Sequence, residues 1–237
     1  MVKKKMERFA EMETFPNVIQ PAFEEVFRKD YPIKGKWNNQ IFRNDNPIVL
    51  ELGCGKGEYT TGLASRFPGK NFIGIDIKGS RIWRGAKTAL SERLANVAFL
   101  RTRIEMIHSF FGRDEVDEIW LTFPDPQLKK KRKRLTSPRF LNTYGSFLKD
   151  GGLIHLKTDS LVLYEYTLDL VRHNNLRIIT HSQDLYHSAI DNEILSIQTF
   201  YERQFLDQGM KVRYLCFVLP HGKTIEEPEQ DQYGKLF

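Results

Sequence analysis

The residues Phe123-Pro124-Asp125-Pro126 follow a strand-like run, and after two further residues the chain enters six consecutive cations, Lys129-Lys130-Lys131-Arg132-Lys133-Arg134. Each proline fixes its own φ and biases the residue before it toward extended geometry, so Asp125 is expected in a stiff turn. A carboxylate held that way beside a dense positive patch suits a reacting group in a site that works on a polyanion. Each feature alone has a plainer reading, the turn as a surface loop and the cations as a solvated face. Their adjacency at a strand end favours the functional reading, with Lys129, Lys130, Arg132 and Arg134 as the cations expected against substrate.

A second constellation lies upstream. Glu51-Leu52-Gly53-Cys54-Gly55-Lys56-Gly57 follows a predicted strand and opens a predicted helix. Its glycines permit a sharp turn and close approach of a ligand to the backbone. Asp76 ends the next strand, placed for its carboxylate to accept from both hydroxyls of a ribose. A nicotinamide dinucleotide fingerprint needs its third glycine three residues after the second, and that position holds Glu58. Strand, loop, helix and acidic residue together point to an adenosine-type ligand.

With these residues in place, the chain resembles the bacterial tRNA (guanine-N7)-methyltransferases through ELGCGKGEY, GIDIK, LTFPDPQLKKKRKRL, HLKTDS and TFYE, spread over about Ile48 to Phe217. The segment joining FPDP to the cations is far more specific than the glycine loop, which many methyltransferase families share. The resemblance implies that S-adenosylmethionine is the cofactor, that Glu51, Gly53, Gly55, Gly57 and Asp76 hold it, and that Asp125 lies at the reaction centre. It also implies that Lys129, Asp159, and Thr199 to Glu202 contact tRNA, and that the product is the variable-loop m7G46. Two positions depart from the family pattern. Arg103, followed by Ile104 and Glu105, stands where the family usually has an acidic residue beside the cofactor, and Gln127 replaces the usual Trp after the second proline.

Guanine N7 is an unprotonated acceptor at neutral pH and can attack a sulfonium methyl without a general base. The enzyme must align the reactants and compensate the positive charge that moves onto the purine. Asp125 is the first candidate for that carboxylate and Asp159 the second, although Asp159 also reads as the N-cap of a helix starting at Ser160. Glu202 also reads as a helix-surface charge.

Around these residues, short apolar runs alternate with helical patterns from Pro47 onward, the mark of a doubly wound α/β domain. Strands are expected near Ile48 to Leu52, Asn71 to Ile75, Val97 to Leu100, Glu118 to Leu121, Leu153 to Lys157, Arg177 to Thr180 and Val212 to Leu219. Helices are expected near Glu58 to Arg66, Ser80 to Leu94, Glu105 to Phe111, Ser137 to Leu148 and Leu161 to His173. No convincing helix separates the last two strands, which allows an antiparallel final strand. The predicted architecture is a Rossmann-like class I methyltransferase sheet of about seven strands, mostly parallel, with helices on both faces. Residues 1–46 are expected as an arm packed on the domain and partly mobile at its start, 47–220 as the methyltransferase domain, and 221–237 as a solvated tail carrying Glu226, Glu227, Glu229 and Asp231.

The chain has 237 residues, 41% of them hydrophobic, enough for one sizeable core. Its net charge of +6 (36 Lys and Arg against 30 Asp and Glu) equals the charge of the cationic run, so the excess is local and favours a nucleic-acid face. Cys54 and Cys216 alone cannot build a disulfide framework or a zinc site, and the six histidines show no ligand spacing, so no metal is expected. Without a long apolar run, a cytoplasmic protein free of membrane is expected, as a monomer or homodimer. Two other classes stay open: an RNA-binding module without turnover, or a methyltransferase on another structured RNA.

Overall fold

The computed structural model describes residues 2–190, 195 and 197–228. Among them, eight strands form one sheet in the order β1-β4-β3-β2-β5-β6-β8-β7. They are β1 (Val18–Ile19), β2 (Ile48–Leu52), β3 (Asn71–Asp76), β4 (Val97–Arg101), β5 (Val116–Thr122), β6 (Leu148–Thr158), β7 (Ile178–Ser182) and β8 (Arg213–Leu219). β8 runs antiparallel to both β6 and β7, and the other pairings are parallel. The antiparallel final strand is as expected. The eighth strand is β1, two residues of the N-terminal segment that pair with Phe99 and Leu100.

Helices α1 (Val2–Glu13), α2 (Phe23–Val26), α3 (Glu58–Arg66), α4 (Gly79–Ser91), α5 (Pro138–Tyr144), α6 (Leu161–His173) and α7 (Phe200–Asp207) surround the sheet. α7 lies between the last two strands, outside the helices expected from apolar periodicity. Successive strand residues face opposite sides, and the core divides accordingly. Leu50, Leu52, Ile73, Ile75, Ile119 and Leu121 belong to one apolar cluster, packed with α5 and α6. Val49, Phe72, Val97, Phe99 and Trp120 belong to the other, packed with α3 and α4. Glu51 shares the second face with Val49, so its carboxylate points into apolar surroundings under α3.

Segments before β2 and after β8 also join the core. Trp37 is fully buried and its indole N–H donates to the carbonyl of Phe110 at 2.9 Å. Within the expected tail, residues 225–227 are held against the domain while most of their neighbours are exposed. Ile225 is buried, and its N–H and C=O pair with the side chain of Asn142 at 2.8 and 2.9 Å. The Tyr166 hydroxyl donates to Glu227 at 3.0 Å. Glu229 and Asp231 lie outside the described residues. No described helix is long and apolar enough to cross a membrane.

Candidate active site

The chain winds from β2 through β3 to β4 on one side and from β5 to β6 on the other, so the strand order reverses between β2 and β5. Ligands of open α/β sheets sit at that crevice, beyond the carboxyl ends of the strands. Each motif singled out in the sequence leaves the sheet at this rim.

The glycine loop is anchored where Gly53 and Cys54 donate their N–H groups to the Ile75 carbonyl at 2.8 and 3.0 Å. Gly57 has φ +69°, and a Cβ there would lie 2.6 Å from the Phe99 ring. On α4, a Cβ at Gly85 would meet the Lys56 carbonyl at 2.7 Å. Loop and helix therefore touch backbone to backbone, which only glycine allows. The periodic pattern of α4 gave no sign that Gly85 takes part.

Asp76 ties the loop to the exit of β3. Its Oδ2 accepts the Gly55 N–H at 3.0 Å and its Oδ1 accepts the Lys78 N–H at 2.7 Å. Each oxygen keeps a further lone pair for a ligand hydroxyl. Glu51 is buried and accepts hydrogen bonds from the hydroxyls of Thr60 and Thr122. Burial pushes its carboxyl up to about 7 against the opposing pull of those two hydroxyls. Thr122 is 71 residues from Glu51 and Thr60 lies across the glycine turn, so neither is legible in the sequence as its partner.

Glu51, Gly53, Gly55, Thr122, Phe123 and Thr199 line a cleft of about 110 Å³. A neighbouring cleft of about 310 Å³ contains Phe23, Val26, Ile77, Thr102, Arg103 and Met106. Arg103 is exposed at its edge, before a 3₁₀ turn at Ile104–Ser109, and α2 forms the opposite wall. A close-packed glycine turn beside a buried carboxylate and an acidic strand end fits an adenosylated amino acid in its chemistry, with carboxylates available to a cationic group and to ribose hydroxyls.

Asp125 is exposed and accepts the Gln127 N–H at 2.9 Å. The loop that carries it is bent beyond what the prolines impose. Phe123 and Gln127 flank it with φ of +48° and +47°, each a left-handed conformation that costs a side chain about 1–3 kcal/mol. The Phe123 N–H donates to the Lys157 carbonyl at 2.8 Å, and the Phe123 ring packs on Phe205 at 5.9 Å.

Among the six cations, Lys129, Lys130 and Arg132 are exposed as expected, and Arg134 is not. Arg134 is 1% exposed. Its Nε donates to the Pro126 carbonyl at 3.0 Å, and its guanidinium lies 4.3 Å from the centre of the Tyr166 ring. It supports the loop from within and is out of reach of an external phosphate.

Asp159 sits just beyond β6, next to the Asp125 loop, since β5 and β6 are neighbours in register at Thr122 and Lys157. It is not the cap of α6. Ser160 is, accepting the Leu163 N–H at 3.2 Å, while the Asp159 carbonyl accepts from Arg213 at 2.7 Å. Thr199 caps α7 and reciprocates with Glu202 in a capping box. Glu202 is neither a helix-surface charge nor a group open to substrate. Its side chain is fully buried with that of Lys157, 2.7 Å away, and it accepts from the Tyr186 hydroxyl at 2.5 Å. Lys157 also donates to the carbonyls of Leu195 and Ile197 at 2.9 and 3.2 Å. This buried knot sets the segment leading to Thr199 against β6.

The sheet, the glycine cradle at the switch point and the acidic end of β3 define a class I S-adenosylmethionine-dependent methyltransferase fold. The solved structure of the 16S rRNA methyltransferase KamB superposes with a TM-score of 0.60 at 16% identity, covering 76% of this chain and 91% of KamB, a likeness of fold alone. Residues 45–215 match the family model described as "Putative methyltransferase". The tRNA (guanine-N(7)-)-methyltransferase of Bacteroides fragilis (strain YCH46) is 50% identical over 97% of this chain and 91% of its own length. The enzyme of the same name from Porphyromonas gingivalis (strain ATCC BAA-308 / W83) is 55% identical over 88% and 86%. The chain belongs to the family of tRNA (guanine-N7)-methyltransferases.

Proposed function

We propose that this chain methylates N7 of guanosine in tRNA from S-adenosylmethionine, at the variable-loop guanosine that becomes m7G46. The observation that carries the reading is the switch-point crevice. A glycine cradle with a buried acid opens on one side of it, and on the other the strained Asp125 loop runs directly into exposed cations. The cofactor, when bound, supplies an electrophilic methyl group on a sulfonium.

Glu51, once ionised, balances the cofactor's positive end, and Asp76 orients its ribose. Lys129, Lys130 and Arg132 hold phosphates and fix the register of the RNA. The N7 lone pair forms the new N–C bond as the S–C bond breaks and its electron pair returns to sulfur. No proton moves, and positive charge appears on the purine. Asp125, within a rigid loop beside the incoming base, offsets that charge and accepts from the guanine N–H edge, with Asp159 the nearest alternative on the adjoining strand. Thr199 closes the cleft, while Arg134 and Glu202 position these groups from inside.

Nucleoside mass spectrometry of unmodified tRNA incubated with the protein and methyl-labelled cofactor tests the reading. Labelled 7-methylguanosine at position 46 supports it. Tight tRNA binding with no labelled product would make the chain a binding module, and label at another guanosine would move the target.

A further inference from the structure

A cleft of about 530 Å³ lies between α1 and α4, on the side of the cofactor crevice away from the 129–133 run. Arg8, Lys56, Glu58, Arg81, Trp83 and Arg84 are among its lining residues, four cations against one carboxylate. They come from three elements: α1, the glycine loop and its helix, and α4. Lys56, Glu58 and Arg81 also line the 110 Å³ cleft, so the two spaces are continuous along one rim.

The excess charge is built in. Trp83 lies between two cations, with the Arg8 guanidinium 4.5 Å and the Lys87 ammonium 5.0 Å from its ring centre. Glu11 accepts from the Trp83 indole N–H at 2.7 Å and pairs with Lys87 at 2.7 Å. Glu11 therefore balances Lys87, and Trp83 serves as the platform that holds Arg8 at the mouth. Arg81 and Arg84 project exposed from α4, the helix that follows β3.

The position identifies the ligand chemistry. The 129–133 cations follow β5, and this patch is attached to β3, two places away across β2, a spacing of about 10 Å at the sheet. A polyanion that delivers one base into the crevice must carry backbone on both sides of that base. We propose that the α1–α4 cleft is a second phosphate-binding surface, engaging the RNA backbone on the side of the flipped-in guanosine opposite the 129–133 run. The proposal rests on the reading of the protein as a tRNA methyltransferase.

The test is the salt dependence of tRNA affinity for wild type and for the double variant Arg8→Gln, Arg84→Gln, with S-adenosylhomocysteine titrated against both. Each lost phosphate contact lowers the log-log slope by about 0.7–0.9, so the double variant should lose about 1.4–1.8 while retaining cofactor affinity. Because Arg8 also packs on Trp83, the single variant Arg84→Glu is the control for a disturbed α1, and it must weaken tRNA binding on its own. An unchanged slope in both variants overturns the proposal, as does a loss confined to cofactor affinity. Wild-type formation of 7-methylguanosine in the same preparation separates failure of this surface from failure of the functional reading.

Discussion

The Nε of Arg134 donates to the carbonyl oxygen of Pro126 across 3.0 Å, joining the last of six consecutive cations to the loop that carries Asp125. The guanidinium rests on Tyr166, whose hydroxyl in turn donates to Glu227. The docked C-terminal segment, α6 and the Asp125 loop thus form one connected support.

Arg134→Ala should therefore act as a loss of positioning and stability. Removing a hydrogen bond made by a buried charged group costs about 1.5–3 kcal/mol, read as a lower urea midpoint. The single-turnover methylation rate should fall at least tenfold while affinity for S-adenosylhomocysteine stays near wild type. A variant that keeps its stability and loses only salt-dependent tRNA binding would return Arg134 to the set of phosphate contacts.

Arg134 also shows where sequence reading stops. Its partners are Pro126, eight residues back, and Tyr166 on another helix, and nothing in a run of cations marks one member as buried. Local pattern served better where apolar periodicity was strong: β2, α3 and α6 have the bounds read from sequence, Ile48–Leu52, Glu58–Arg66 and Leu161–His173. β1 has two residues, too few for any period. α7 is too short for a convincing apolar period, although Thr199 and Glu202 spell the Thr-x-x-Glu capping box that signals a helix start. The hydroxyls that hold Glu51 arrive from α3 and β5, so they become neighbours only once the sheet is formed.

If Glu51 contacts the cationic end of the cofactor, as proposed, binding depends on pH in a defined direction. Its carboxyl is raised to about 7 by burial, so below that pH the site is largely neutral and must release a proton to hold a cation. Affinity for S-adenosylhomocysteine should rise as pH increases from about 5.5 to about 7, by at most tenfold per pH unit, and flatten above. Calorimetry across that range should give a flat profile for Glu51→Gln. A wild-type profile that is flat, or that falls with pH, would remove Glu51 from contact with the cationic end.

Glu202 and Lys157 distinguish a structural role from a substrate contact. Both side chains are fully buried, so Glu202→Ala leaves an ammonium inside the protein without its countercharge, a loss of about 3–5 kcal/mol. Replacing both, as Lys157→Met with Glu202→Leu, should recover much of that stability because no uncompensated charge remains. A direct tRNA contact would give the opposite result, with unchanged urea midpoints and weakened tRNA binding in the single variant.

The proposed role of Asp125 is tested by a change that removes charge and keeps shape. Asp125→Asn keeps the size of the side chain and an oxygen able to accept the Gln127 N–H that now bonds Oδ1 at 2.9 Å, so the loop should hold its shape. The negative charge proposed to face the base is lost. If that charge offsets the positive charge developing on guanine, the loss falls on the transition state far more than on bound substrate. The single-turnover rate should then drop on the order of 100-fold or more, as when one preorganised electrostatic group is removed, while affinities for tRNA and S-adenosylhomocysteine change much less. Since N7 needs no deprotonation, the residual rate of the variant should show no new dependence on pH. A near-normal rate at saturating tRNA would take Asp125 out of the mechanism and turn attention to Asp159, the carboxylate just beyond the end of β6, beside the same crevice.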